Sequence, residues 1–280
     1  MKTRLILVLG ISVAMIRAAA AAGIPDPVGL ELESLSGQMR GNRIATLEKV
    51  RNLGFKYVEL VGDYGQTPGE LKTELRAHGL IATSAHFPYT KFSGDPNLPQ
   101  EAVALGLTYV GCPSLPQRDA LDEEGVLRAA AMFNRAGEAM TAHGLKFFYH
   151  PHGYEFKPYK NGTLFDLLVE KTDPRYVHFQ MDIYWIVHAG QDPVKLLRRY
   201  PDRWVSMHLK DMKKGAPTGL FNGNLVRGDC VPLGQGQIDI VKVIETAHQV
   251  GVRSFFIEDE SASPEKEIPQ SLQFLRAAKW

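Results

Sequence analysis

One structural unit recurs along this chain, although its residues are not repeated. A stretch with helical periodicity stops at a glycine, a short apolar strand follows, and the strand runs out into polar residues. Five strands open this way: Gly54-Phe-Lys-Tyr-Val-Glu-Leu-Val61, Gly79-Leu-Ile-Ala-Thr-Ser-Ala-His86, Gly106-Leu-Thr-Tyr-Val-Gly111, Gly144-Leu-Lys-Phe-Phe-Tyr-His150 and Gly251-Val-Arg-Ser-Phe-Phe-Ile-Glu258. A glycine just past a helix supplies the left-handed turn that redirects the chain. Val28 to Leu35, Tyr176 to Tyr184 and Trp204 to Lys210 complete a set of eight expected strands.

The intervening stretches carry apolar residues at helical spacing. Ile44, Leu47 and Val50 precede Gly54, and Leu71 and Leu75 precede Gly79. Val126, Phe133 and Met140 mark a long helix before Gly144. Asp192-Pro193 reads as a helix cap and first turn, with Leu196, Leu197 and Tyr200 inward. Ile240, Val243, Ile244 and Ala247 form another stripe, and the stretch from Pro264 to Trp280 carries Leu272 and Leu275. Strands alternating with helices imply a parallel α/β sheet, and eight strands close a (β/α)₈ TIM-type barrel. An open doubly wound sheet is the competing fold. Its dinucleotide-binding form is disfavoured, because no Gly-x-Gly-x-x-Gly turn follows the first strand.

The first 22 residues read as a secretory signal peptide. Lys2 and Arg4 precede an apolar run from Leu5 to Ile16, and Ala18 to Ala22 offer small residues for cleavage. Residues 23–280 then form a single domain, secreted or periplasmic. The leader's charged residues are Lys2, Arg4 and Arg17. Removing these three from the 32 basic residues leaves 29 against 31 acidic, a net charge of −2. That balance offers no footprint for nucleic acid, and no later run is apolar enough to span a membrane. The chain is compatible with a homo-oligomer. With only Cys112 and Cys230, it is no disulfide scaffold, and two inert thiols are expected.

In a parallel barrel the active site lies at the C-terminal strand ends. The polar residues expected there are Glu59, His86, His150 and His152, Asp182, His208 and Lys210, and Glu258, with Glu155, Asp211, Asp259 and Glu260 close behind. Carboxylates and imidazoles converging on one rim are what a divalent cation needs. The core metal set is read as Asp182, His208 and Glu258. The fourth ligand is open between His150 and Glu155. Mn²⁺, Co²⁺, Mg²⁺ and Zn²⁺ all suit such donors.

A cation there would act as a Lewis acid on a sugar carbonyl and ease removal of the neighbouring proton. Glu155 and His152 are the candidate bases. Lys210 is placed to stabilise the enediolate oxygen or to carry a proton. Glu59 and His86 are expected to bind sugar hydroxyls, with Tyr184 and Trp185 as flat walls. Plainer roles compete with these: Glu59 could pair with a basic side chain, and His86 could be a satisfied core histidine. His178 is expected to fill the core. The polar stretch from Lys213 to Gln237 reads as a lid, with Arg227 as a substrate contact.

Four segments carry a resemblance to a known family: Tyr149-His-Pro-His-Gly-Tyr-Glu-Phe156, Met181-Asp-Ile-Tyr-Trp-Ile-Val-His-Ala-Gly190, His208-Leu-Lys-Asp211 and Pro232-Leu-Gly-Gln-Gly236. Over roughly residues 26 to 280 the chain resembles the sugar phosphate isomerase/epimerase family of xylose isomerase-like barrels. The resemblance implies a metal held by ligands from strands five to eight. Asp182, His208 and Glu258 match three of them, while many relatives have Glu where this chain has His150. It also implies a small-molecule sugar, keto-sugar or glycoside as substrate. The implied reaction is isomerisation or epimerisation, with 3-keto-glycoside lyase or dehydratase chemistry as the alternative. An endonuclease on the same barrel would need a basic groove that this composition lacks. A non-catalytic carbohydrate-binding protein would have no need of Asp182, His208, Lys210 and Glu258.

Overall fold

The computed structural model describes residues 28–278; the expected signal peptide lies outside them. Eight parallel strands close into a barrel: β1 (Gly29–Glu31), β2 (Tyr57–Val61), β3 (Ile81–His86), β4 (Tyr109–Cys112), β5 (Lys146–Tyr149), β6 (Val177–Asp182), β7 (Trp204–Leu209) and β8 (Ser254–Ile257), with β1 paired to both β2 and β8. The main helices are α1 (Arg43–Asn52), α2 (Pro68–Ala77), α3 (Leu98–Leu105), α4 (Glu123–Ala142), α5 (Leu164–Lys171), α6 (Pro193–Arg199), α7 (Ile240–Gln249) and α8 (Pro264–Ala277). Among the described residues no helix is long and apolar enough to cross a membrane.

The local signals explain the elements. Gly54, Gly79, Gly106, Gly144 and Gly251 all take positive φ, between 69° and 99°, so each ends its helix where a side chain would be strained. Asp192 caps α6 by accepting from the amides of Val194 and Lys195. The inner faces of α4 and α7 bury Val126, Phe133 and Met140, and Ile240, Val243, Ile244 and Ala247. Ile44 departs from the expected face: it is exposed, and only Leu47 and Val50 of that trio are buried.

Two strands are shorter than expected. After Glu31 the chain coils into a 3₁₀ turn, Leu32–Leu35. After Asp182 it becomes a short helix, Ile183–His188, because Asp182 Oδ1 accepts from the amides of Tyr184 and Trp185. Asp182 is thus both the last strand residue and a helix cap, so Tyr184 does not share its strand face. Cys112 and Cys230 are free and buried.

Candidate active site

The strand ends bring together a buried set of ionisable groups: Glu31 from β1, Glu59 from β2, His86 from β3, Asp182 from β6 and His208 from β7, with His150 and Glu258 just beyond β5 and β8. Burying one such charge costs several kcal/mol unless it is paired. Registers place Glu31 beside Glu59 and Asp182 beside His208. Pairing shifts at Val58/Glu59 and at Phe179/Gln180. Such irregularities re-aim side chains next to functional sites, and here Gln180 Nε2 donates across the barrel to Glu59 Oε1 at 2.9 Å.

Glu59 is wholly consumed by this network. It accepts from Ser84, Gln180 and the Nε2 of His208. Burial pushes its carboxyl up, but the His86 and His208 rings outweigh that and hold it at about 2. Glu59 is fully buried and does not line the mouth, which corrects the expectation that it binds sugar hydroxyls. It instead orients His208, whose other nitrogen, Nδ1, lies 3.1 Å from Glu258 Oε2. A carboxylate behind a histidine whose far nitrogen faces the site is the arrangement that fixes metal-binding imidazoles. Burial works against a charged His208, yet Glu59 and Glu258 raise its pKa well above the usual histidine value.

The fit to a cation rests on unsatisfied acceptors. Asp182 Oδ2 is buried and accepts no hydrogen bond; it stands 3.8 Å from Lys210 Nζ and 3.9 Å from His150 Nε2. Glu31 Oε2 is also buried without a partner. The ligand atoms of Glu31, His208 and Glu258 lie within 4.8 Å of one another, as do those of His86, His150 and His208. Burial raises Asp182 to about 8, with the Lys210 ammonium offsetting it only in part and Glu258 adding to the rise. This cluster of histidines and carboxylates is a donor set that suits a divalent cation. Glu31 and Gln180 were missed in sequence. Glu31 was hidden by the overlong first strand, and Gln180 by its uncharged side chain.

A mouth cavity of about 330 Å³ opens above the cluster. It is lined by Glu31, His86, His150, His208 and Glu258 at its base, and by His152, Trp185, Arg118, Glu33 and Glu260 among others around it. His152 lies at the wall, its Nδ1 buried and unpartnered, and burial lowers its pKa to about 3. Trp185 stands 5.4 Å from its ring centre.

The remaining expected residues sit behind this lining. Glu155 is fully buried, accepting from the Tyr149 hydroxyl and from the amides of His152 and Gly153. It braces the turn that carries His152 and is neither a mouth base nor a fourth ligand, although burial raises it to about 7. Lys210 is buried behind Glu258 and Glu260, 3.2 Å from Glu258 Oε2 and bonded to Glu260. Burial works against its charge, but the Glu258, Glu260 and Asp182 carboxylates hold its pKa well above the usual lysine value. Tyr184 is also buried, with the Lys210 ammonium 5.3 Å from its ring centre. Arg227 lines an adjoining cleft with Glu33, Asp259 and Glu260, and not the mouth.

The stretch from Lys213 to Gln237 folds over the barrel end. Gly223 and Leu225 line the mouth, and Leu220 donates its amide to the His188 carbonyl at 3.0 Å. Asp211 pins the return of this loop: its carboxylate accepts from the amides of Met212, Gly234, Gly236 and Ile238.

Comparison with known proteins agrees with the barrel fold. The family described as xylose isomerase-like TIM barrel matches residues 47–278. Inosose dehydratase of Geobacillus kaustophilus is 25% identical over 248 residues, 78% of this chain and 80% of that one. Inosose dehydratase of Salmonella typhimurium is 26% identical over 255 residues, 77% and 80% of the two chains. Among solved structures, a sugar phosphate isomerase/epimerase from Parabacteroides distasonis superposes with TM-score 0.73 at 23% identity, covering 96% of this chain and 99% of that one. The IolI protein with a bound zinc atom superposes with TM-score 0.70 at 12% identity, covering 90% and 99%.

Proposed function

The chain belongs to the xylose isomerase-like TIM barrel family, and from that premise we propose that it is a divalent-metal-dependent enzyme that removes the proton beside the carbonyl of a sugar-like ketone and then expels water. The observation that carries the reading is the unpartnered, buried Asp182 Oδ2, set beside His150 and the ion-paired His208 and Glu258. Asp182, His208, Glu258 and His150 would hold the cation, with Glu59 orienting His208. A bound Zn²⁺, Mn²⁺, Co²⁺ or Mg²⁺ supplies Lewis-acid polarisation of the ketone.

The chain's own groups do the rest. His152 lines the mouth and its Nδ1 has no hydrogen-bond partner, so it is the group placed to serve as base. Lys210 stays an ammonium beside Glu258 and Glu260 and holds the Glu258 carboxylate in its ionised form at the base of the mouth. Trp185 offers a flat wall for the apolar face of a ring. Elimination of water is favoured over isomerisation because the curated relatives are dehydratases. The likeness to a sugar phosphate isomerase/epimerase keeps isomerisation or epimerisation as the second reading. Glu31, Glu33, Glu258 and Glu260 make the mouth acidic, which disfavours a phosphate backbone. The basic and apolar leader is read as an export signal; N-terminal sequencing of the mature protein tests it.

Incubation of the chelator-stripped and metal-reloaded chain with an inosose in D₂O tests the reaction. The expected result is metal-dependent deuterium uptake beside the carbonyl, with loss of water seen by mass spectrometry. Uptake without water loss would move the assignment to isomerisation or epimerisation. Neither uptake nor water loss with any keto-sugar or keto-polyol would overturn the proposal.

A further inference from the structure

The mouth has a neighbour. A second cleft of about 240 Å³ lies between the turn after β1 and the segment after β8. Glu33 and Glu260 line this cleft and the mouth as well. These two side chains therefore stand at the junction of the two spaces, and a molecule longer than one ring can occupy both. The cleft is built from polar groups with hydrogen-bonding capacity to spare. Ser34 and Asp259 are only 5% and 6% exposed. One bond joins them, from the Asp259 amide to Ser34 Oγ at 2.9 Å. Ser34 Oγ accepts in that bond, so its own hydrogen is left to donate. Asp259 Oδ1 accepts from the Ser261 amide at 3.0 Å, and Oδ2 accepts no hydrogen bond among the described residues.

Two guanidinium groups line the same cleft: Arg40, from the short helix Ser36–Gly41, and Arg227, from the stretch after β7. Neither makes an ion pair among the described residues. Arg227 Nη1 makes one long bond, to the Ser261 carbonyl at 3.4 Å. This lining selects the chemistry of its ligand. An anion would meet the carboxylates of Glu33 and Asp259. An apolar group would find only Ala262 and Pro264 and would strand the polar groups without partners. A hydroxyl both donates and accepts. A hydroxyl-bearing ring can therefore accept from Arg40, Arg227 and Ser34 while it donates to Glu33 and Asp259.

We propose that this cleft is a second sugar-ring subsite. The substrate is then a keto-sugar that carries a second, uncharged, hydroxylated ring, held in the cleft while the first ring reacts at the mouth. The proposal rests on the sugar-ketone reading above and adds the size of the substrate to it. Arg40, Arg227 and Asp259 set specificity for the second ring, because they line the cleft and not the mouth.

Titration calorimetry with the full chain tests this by comparing glucose with maltose, cellobiose and trehalose, disaccharides that differ in linkage. At least one disaccharide should bind roughly tenfold tighter than glucose, the yield of one or two added hydrogen bonds. Gly37 offers a way to close the cleft, since it lines it and a side chain there would meet no atom within 4 Å. Gly37→Trp should abolish the disaccharide's advantage and leave glucose affinity at the parent value. Arg40→Ala combined with Arg227→Ala should reduce the advantage to about twofold or less. Equal affinity for glucose and every disaccharide, or no binding by any of them, overturns the subsite. So does an advantage that survives Gly37→Trp. Calorimetry needs no turnover, so the two readings fail separately: loss of deuterium uptake from an inosose sinks the reaction, and loss of the disaccharide advantage sinks the subsite.

Discussion

Single residues carry most of the chemistry, and their partners set what each can do. Glu59 has no access to substrate, yet it fixes the His208 ring. Glu59→Gln is expected to weaken Co²⁺ or Zn²⁺ binding by roughly 10–100-fold, the usual cost of losing a partner behind a metal-binding histidine. Competition with a coloured chelator measures it, and unchanged affinity would remove Glu59 from the metal site. Glu258→Gln should go further and abolish turnover, while circular dichroism stays that of the parent.

His178 lies away from the cluster and contributes to stability in a different way. Burial, helped by Lys146 and Arg203, lowers its pKa to about 4. The unfolded chain therefore takes up a proton at this ring between pH 6.5 and 4 while the folded chain does not. Its contribution is intact above about pH 6.5 and is lost as pH falls towards 4, up to about 3 kcal/mol. Urea unfolding of His178→Leu at pH 7 and pH 5 should show a shallower acid loss than the parent. An equal loss in both would contradict this.

At the level of elements, the glycine-ended helices and the strand ends were legible because each depends on neighbours in sequence. The short helix after Asp182 was not. Asp182 reads as an inward strand residue until its carboxylate caps the next turn, and that choice moves Tyr184 off the strand. The long loop was legible as a loop through its length and composition, and what holds it against the barrel end is tertiary. Asp211 gathers four amides from both sides of it, and a side chain at Gly236 would overlap that carboxylate. Asp211→Ala should leave the barrel folded but expose residues 213–229 to protease. Stability should fall by about 3 kcal/mol, since bonds to a charged acceptor are among the stronger ones. Limited proteolysis with mass mapping reads the cleavage sites, and cleavage equal to the parent's would remove Asp211 as the clamp.

Over the whole molecule, seven strands and the segments after them supply one cluster, so a cation held there would be linked to barrel stability. Ligand bound only by the folded state stabilises it by about 2.7 kcal/mol at one hundred times its Kd. For a domain of this size that is a rise in Tm of roughly 5–10 °C. Co²⁺ or Zn²⁺ should therefore raise the Tm of the parent chain and fail to do so in Glu258→Gln. A similar rise in both would place the stabilising ion elsewhere.

Periodicity, glycine stops and the types of side chain at strand ends were enough to read a closed eight-stranded barrel with a rim of histidines and carboxylates, because those signals act over a few residues. Which rim residue reaches the cavity was decided by tertiary structure alone. Glu59 and Glu155 carry the same carboxylate as Glu31 and Glu258, but the first two are consumed by partners up to 149 residues away in sequence for Glu59 and in its own turn for Glu155. A hydrogen bond depends on distance in space, and closing a barrel brings β1 against β8, a pairing that nothing local in the chain records.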